Sequence, residues 1–388
     1  MQMNSLHMAM AAALGASLAM PAVAGITVYE DGDKFVKMGG RIQLQYHQMD
    51  PEDGEESDEM FFRRLRPYIT GSLHKDWLGK FQFDFGKAND SNEVAVKDAY
   101  MQYSGFEGMK VTVGNANFPF SREFLTSSKN QQLVERTFVG DHDYGTPDRN
   151  VGLHITGKAN LLTWGASLAQ ASIDPDEDKL DFDTPVNKDG DFNEGWIFGG
   201  RVDFHPFGIM KFSQGDFSRD EMKATIGVAA FQWENDDDNN IYTDANDVDL
   251  GLGNDDMDVD SVTGFEISGA FRAAGFSIDA QYNRFDVDAV DSSYNQGLYE
   301  DGSTELTNWA VEGGYMVVPN RLELVAGYQL QDADGYEEEW TRTSVGANYF
   351  FHKHDIKVQA AYRMGENLNG VKDGADEDEL FVQAQYVF

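Results

Sequence analysis

The sequence predicts an all-β protein, a transmembrane antiparallel β-barrel of about sixteen strands. Three observations predict it. Apolar and polar residues alternate with period two from Phe35 onward, short and long connections follow one another in turn, and the last segment carries an apolar or aromatic residue at every second position up to Phe388. A strand with one wet and one dry face has that period, because successive side chains point to opposite sides.

The elements follow in order. In the first segment, 35–48, Val36, Met38, Gly40, Ile42, Leu44 and Tyr46 take one face, and Lys37, Arg41, Gln43, Gln45 and His47 the other. Further alternating segments are expected at 61–73, 79–88, 93–104, 109–115, 149–158, 161–172, 194–205, 221–234, 259–273, 275–288, 304–316, 320–333, 338–351, 355–367 and 378–388. Most reach the roughly ten residues that a tilted strand needs to cross the hydrocarbon layer. Connections at one end are short, as at His74-Lys75-Asp76-Trp77, Gly105-Phe106-Glu107-Gly108 and Pro319-Asn320. Those at the other end are long, at 49–60, 116–148, 173–193, 235–258, 289–303 and 368–377. The exceptions are a long turn at 206–220 and short outer loops at 89–92 and 334–337. A soluble protein of tandem β-sandwiches also alternates strands and loops, but without this asymmetry of loop length.

Residues 1–24 read differently. Met8 to Met20 is apolar and small, and Ala22-Val23-Ala24 has the pattern of a signal-peptidase site. A cleaved signal peptide is expected there, followed by one barrel domain over 25–388. The leading region holds His7 but no Lys or Arg, so either the natural start lies upstream or the signal is an unusual one. No apolar run after residue 24 has the length of a membrane-spanning helix.

The formal charge is −37, from 67 acidic and 30 basic residues. Nucleic-acid binding is excluded, because a phosphate backbone needs a basic surface. The chain has no cysteine, which removes disulfides, thiolate metal sites and a Cys nucleophile. The acids crowd into long loops, as at 50–59 and from Glu234 to Asp260, where no Lys or Arg occurs. Solvated, self-repelling outer loops explain these runs, and divalent cations bridging lipopolysaccharide are the alternative. The polar strand faces carry Lys37, Arg41, Arg64, Arg66, Arg201, Arg321, Arg342, Lys357 and Arg363 against Asp84, Asp98, Asp203, Asp279, Glu312 and Glu323. Inward arginines either attract anions or lock onto wall carboxylates, and strand pattern alone leaves both open.

No G-x-S-x-G, Walker A loop or H-E-x-x-H occurs, so no enzyme and no cofactor is expected. His142 lies between Asp141 and Asp143, where a loop hydrogen-bonding role is expected and no metal; His352 and His354 flank a short turn and read as surface.

The most informative stretch holds Phe62-Arg63-Arg64-Leu65-Arg66, Val96-Lys97-Asp98-Ala99-Tyr100, Val111-Thr112-Val113-Gly114, Phe118-Pro119-Phe120-Ser121, Leu125-Thr126-Ser127-Ser128 and Val134-Glu135-Arg136. In this order and spacing it resembles the phosphate-selective porin O/P family. The resemblance implies a trimeric outer-membrane porin of a Gram-negative bacterium, with the third outer loop, 116–148 here, folded into the lumen as a constriction. It implies passive diffusion of small hydrophilic solutes, anions such as phosphate above all, amid outer-membrane lipid and lipopolysaccharide. Arg64 and Arg66 match the family's arginine ladder, Asp98 sits in the matching K-D-A-Y motif, and Arg41, Arg122 and Arg136 are further candidates for the anion path. One departure stands out. Asn117 occupies the position two residues before Pro119-Phe120 where the family places a Lys, which argues against tight phosphate binding. A general or cation-preferring porin, or an interaction barrel whose acidic loops bind a partner, are the alternatives.

Overall fold

A computed structural model describes residues 25–52, 54–86, 94–182, 186, 195–219, 221–235, 258–372 and 374–388. The expected signal peptide and most of the acidic loop after Glu234 lie outside the described residues.

The chain runs through β1 (Ile26–Asp31), β2 (Lys34–Pro51), β3 (Ser57–His74), β4 (Trp77–Asp84), β5 (Ala95–Tyr103) and β6 (Met109–Asn117). A long segment with the short helix α1 (Arg122–Leu125) leads to β7 (Arg149–Ala159) and β8 (Leu162–Gln170). A small hairpin of β9 (Asp174–Asp176) and β10 (Lys179–Asp181) precedes β11 (Trp196–Phe204) and β12 (Lys223–Glu234). The rest is an up-and-down run: β13 (Val259–Ala273), β14 (Phe276–Ala289), β15 (Ser303–Val318), β16 (Leu322–Asp332), β17 (Trp340–His352), β18 (Ile356–Glu366) and β19 (Glu377–Val387).

Strands β2–β8 and β11–β19 form a closed antiparallel ring of sixteen. It closes where β19 meets β2, with Gln383 opposite Gln45 and Gln385 opposite Gln43, and where β8 meets β11, with Ala169 opposite Ile197. Each segment expected from alternation is a strand of this ring. The two small hairpins were not expected: β1 folds back on β2 as a seventeenth strand, and β9–β10 lies within an outer loop. Closure leaves the ring no free edge, which a sheet lying within lipid requires. Among the described residues no helix is long and apolar enough to cross a membrane; the strands do the crossing.

The two faces separate as the period requires. On β18, Lys357 and Gln359 are about 1% exposed, whereas Tyr362 is 39% exposed on the lipid side. Phe198, Phe265, Phe276, Leu324 and Val345 are likewise exposed outward. The final residue is held in the sheet: Phe388 and Gly40 exchange backbone hydrogen bonds at 2.9 and 3.0 Å. A Cβ on Gly39 would lie 2.6 Å from the Phe388 carbonyl, so glycine is required there, and one on Gly40 would lie 2.9 Å from the Phe388 ring, which would have to shift.

An apolar core fills part of the lumen. Phe118 and Phe120 meet Leu180 and Phe182 near the β9–β10 hairpin, Phe231 and Trp233 of β12, Phe285 of β14, and Leu298, all almost fully buried. Side chains of this size are worth about 1.5–3 kcal/mol each when buried. They therefore close the β11–β15 side of the long-loop end as firmly as a soluble protein's core.

Candidate functional site

Residues 118–148 hydrogen-bond the inward-facing side chains of the ring. Ser121 caps α1 by accepting from Phe124 N at 3.1 Å, and its hydroxyl donates to Val139 O at 2.7 Å, which folds the segment back on itself. Gln281 and Asn283 of β14 donate to that same carbonyl, each at 3.0 Å. Asn348 and Gln359 donate to Gln132 O at 2.9 Å, Lys357 to Gln131 O at 2.8 Å, and Gln385 to Lys129 O at 3.0 Å. The segment thus lies against β14–β19, and open space remains along β2–β7, reaching β17–β19 toward the long loops.

That space consists of two cavities. One, of about 660 Å³, lies toward the short turns, and one of about 600 Å³ toward the long loops. Arg66, Arg136 and Arg149 line both, so these three guanidiniums mark where the cavities meet. Their surroundings differ in charge. The short-turn-side cavity is lined by the cations Arg41, Arg66, Lys80, Lys129, Arg136 and Arg149 and by a single carboxylate, Asp98. The long-loop-side cavity adds Arg63, Arg64, Lys97, Arg342 and Arg363, but also Glu59, Asp84, Glu135, Asp141, Asp143, Asp148 and Glu379, and is nearly balanced.

Two of these cations reach the lumen through breaks in alternation. In the β2–β3 ladder Gln43 pairs with Arg64 and Leu44 with Phe62, leaving Arg63 as the extra residue of a bulge. In β4–β5, Gln82 pairs with Asp98 and Phe83 with Val96, leaving Lys97 extra. A bulge re-aims the unpaired side chain. Strict alternation would put Arg63 and Lys97 against lipid, where a midplane cation costs roughly 2–4 kcal/mol. Instead Arg63 donates to Glu135 from Nε at 2.9 Å and Nη2 at 3.2 Å, and Lys97 Nζ lies 3.8 Å from Asp148. Alternation alone had assigned only Arg64 and Arg66 of this strand. The missed signal is the unbroken run Phe62-Arg63-Arg64: adjacent arginines cannot both face water on a regular strand.

Some wall cations are neutralised. Arg66 Nε pairs with Asp84 at 2.5 Å; Asp98 accepts from Arg149 at 2.9 Å and lies 2.6 Å from Lys80. Arg201 is locked to Asp203 at 2.7 Å and to Glu266, and Arg272 to Asp279. Others meet only neutral groups. Arg41 donates to the hydroxyls of Ser128 and Ser127 at 2.8 and 3.3 Å. Arg136 donates to Phe124 O at 3.2 Å and lies over the Phe124 ring. Among the described residues neither these two nor Lys129 forms an ion pair.

The segment's own acids respond to this field. Burial works to raise the Glu135 carboxyl, but Arg63 and Arg64 hold it at about 2. His142 binds Asp181 at 2.7 Å and Asp143 at 3.0 Å. Burial opposes its charge, yet the bond to Asp181 and the surrounding carboxylates lift the imidazole to about 10. A charged His142 there offsets the surrounding carboxylates of Asp141, Asp143 and Asp181. Burial and then Asp141 push Asp143 up to about 6.

Of the seven residues singled out in the sequence, Arg41, Arg64, Arg66, Asp98, Asn117 and Arg136 line the cavities. The structure does not bring Arg122 to them. It is 2% exposed, paired with Asp279 at 3.2 Å on the far side of the segment, where it anchors α1 to the wall. Three other expectations are corrected. Lys37 is exposed where β1 pairs with β2, Arg321 sits on a turn bonded to the Phe350 and Phe351 carbonyls, and His354 is 7% exposed because a neighbouring turn covers it.

The comparisons agree with this architecture. The pattern of the family described as phosphate-selective porin O and P matches residues 36–388. The chain belongs to the phosphate-selective porin O and P family. A protein of Aquifex aeolicus strain VF5, described as uncharacterized, is 22% identical over 387 residues, covering 91% of this chain and 86% of that one. OmpF of Salmonella typhi, solved in complex with daunomycin, superposes with a TM-score of 0.60 at 14% identity over 94% of this chain and all of the other. An anion-selective porin from Comamonas acidovorans gives 0.57 at 11% identity over 91% and 99%. At these identities the structural likenesses show the fold. As a member of the porin O and P family, the chain is an outer-membrane channel for small solutes.

Proposed function

We propose that this channel prefers anions and that 118–148 forms its constriction. The carrying observation is the charge of the short-turn-side cavity, six cations against one carboxylate. A pore selects for the ion whose lost hydration its wall replaces, and Arg41, Lys129 and Arg136 keep their charge free for that purpose. The acidic loops do not reverse the sign. Exposed charges more than about 8 Å away are largely screened at physiological salt, so an acid bears on passage where it lines a cavity, as Glu59 does on the long-loop side. Arg41, Arg64, Arg66 and Arg136 are the proposed anion path, with Asp98 holding Lys80 and Arg149 in place. Phosphate is a passenger of low affinity, because Asn117 adds no charge where the family resemblance places one. The family resemblance also supports a homotrimer, which cross-linking in detergent tests.

The deciding experiment is the zero-current potential of the purified protein in a planar bilayer under a KCl gradient. The sign of anion flow is expected. A cation-selective sign would mean that the carboxylates of the long-loop-side cavity govern passage, and the anion reading would fall.

A further inference from the structure

The turn between β11 and β12 is long for the end of the barrel on which it lies, and it folds back inside. Phe212 sits over the guanidiniums of Arg122 and Arg201 at 5.4 and 5.7 Å, and Phe217 packs edge-on against Phe350 at 4.9 Å and His354 at 5.0 Å. Asp216 shapes the return, accepting from Ser218 N at 3.2 Å, Arg219 N at 3.0 Å and Gly275 N at 2.7 Å. Between these anchors lies Gln214, 1% exposed, with all four of its polar groups engaged. Its N–H donates to Asn130 O at 3.0 Å and its Oε1 accepts from Gln132 N at 2.6 Å. Its Nε2 donates to Glu312 at 2.5 Å and its carbonyl accepts from His354 Nε2 at 2.8 Å.

We infer that Gln214 is a positioning residue of the channel: reaching in from the short-turn side, it holds residues 130–132 between β15 and the β17–β18 turn. The neighbours of that grip are Lys129, which lines the short-turn-side cavity, and Ser128, the hydroxyl partner of Arg41. A segment crossing a wet lumen has little backbone ladder of its own, so its position depends on side-chain bonds from both sides. Without the Gln214 side chain, the buried Gln132 N–H and Glu312 carboxylate lose partners together, and only the backbone bonds to Asn130 and His354 remain. The segment then relaxes into the cavity and scatters the cations it presents.

The inference rests on the channel reading, and the test separates the two. Single-channel currents and zero-current potentials are compared for the wild type, Gln214→Ala, and Lys211→Ala, an exposed site on the same turn. Gln214→Ala is expected to fold, to show roughly twofold greater open-channel noise and to lose about half of the zero-current potential, while Lys211→Ala matches the wild type. A folded Gln214→Ala with unchanged noise, conductance and potential overturns the inference. If that variant does not form a heat-resistant barrel, Gln214→Asn, one methylene shorter, takes its place, and the same lack of change in it overturns the inference. A conducting wild type without anion preference would instead sink the anion reading and leave the noise comparison intact.

Discussion

Arg63, the extra residue of a bulge in β3, forms a two-pronged pair with Glu135, joining the barrel wall to the segment inside it at 2.9 and 3.2 Å. Arg64 Nη2 approaches the same carboxylate at 3.8 Å, so one acid restrains two cations of the long-loop-side cavity. Charge-assisted, two-pronged contacts fix geometry as well as charge.

Removing the two partners should therefore act in opposite directions. Glu135→Gln frees both guanidiniums and is expected to raise anion selectivity. Arg63→Ala leaves Glu135 to offset Arg64 and is expected to lower it. Zero-current potentials measure both, and equal shifts of the same sign would refute the assignment.

Arg66 and Arg136 both stand where the cavities meet, but only Arg66 has a carboxylate partner. Arg136→Ala is expected to reduce anion preference without changing barrel stability. Arg66→Ala should also lower the temperature at which the barrel loses its heat-modified gel mobility. It leaves the Asp84 carboxylate the N–H groups of Leu65 and Gly86 but no cation, and breaking such a pair from one side costs about 3–5 kcal/mol when buried. Equal thermal stability of the two variants would contradict this.

The mouth should respond to pH through Asp143, whose carboxyl is raised to about 6. As the pH falls through that value it takes up a proton, while His142, raised to about 10, stays charged. The long-loop-side cavity then loses a negative charge, and anion selectivity is expected to rise between pH 7.5 and roughly 5. Because folding raises this carboxyl, its contribution to stability is present at low pH and fades as pH climbs through about 6. Asp143→Asn should flatten the selectivity profile; a variant with the wild-type profile would exclude this residue as its source.

Asn117 lines the short-turn-side cavity and carries no charge. Asn117→Lys is expected to strengthen block of the chloride current by phosphate roughly tenfold, the equivalent of about 1.4 kcal/mol. Titrating phosphate against chloride conductance checks it, and an unchanged half-blocking concentration would place the affinity determinant elsewhere.

Much of the fold was legible because one face of every strand meets lipid. That single demand writes a period-two pattern into each segment, from Val36 in the first to Tyr386 in the last. The pattern misled where the ladder slips, and at Lys37 and Arg321, which do not reach the lumen. Arg63 and Lys97 fall on the lipid face by counting and on the lumen face by geometry, because each occupies a bulge. Their charge was the available clue. Arg122 shows the opposite limit: it lies in the right segment, but which side of that segment faces water depends on contacts with Asp279, 157 positions away in the chain.

The sequence by itself determined the barrel, its strand order, its loop asymmetry and its family, since each follows from local periodicity and short motifs. Only the tertiary structure decided that open space borders β2–β7 and the inner segment, that Arg66, Arg136 and Arg149 line both cavities, and that Gln214 hydrogen-bonds the segment from the opposite end. Those facts depend on which polar groups pair across a lumen. Pairing there joins residues far apart in the chain, and no local pattern encodes it.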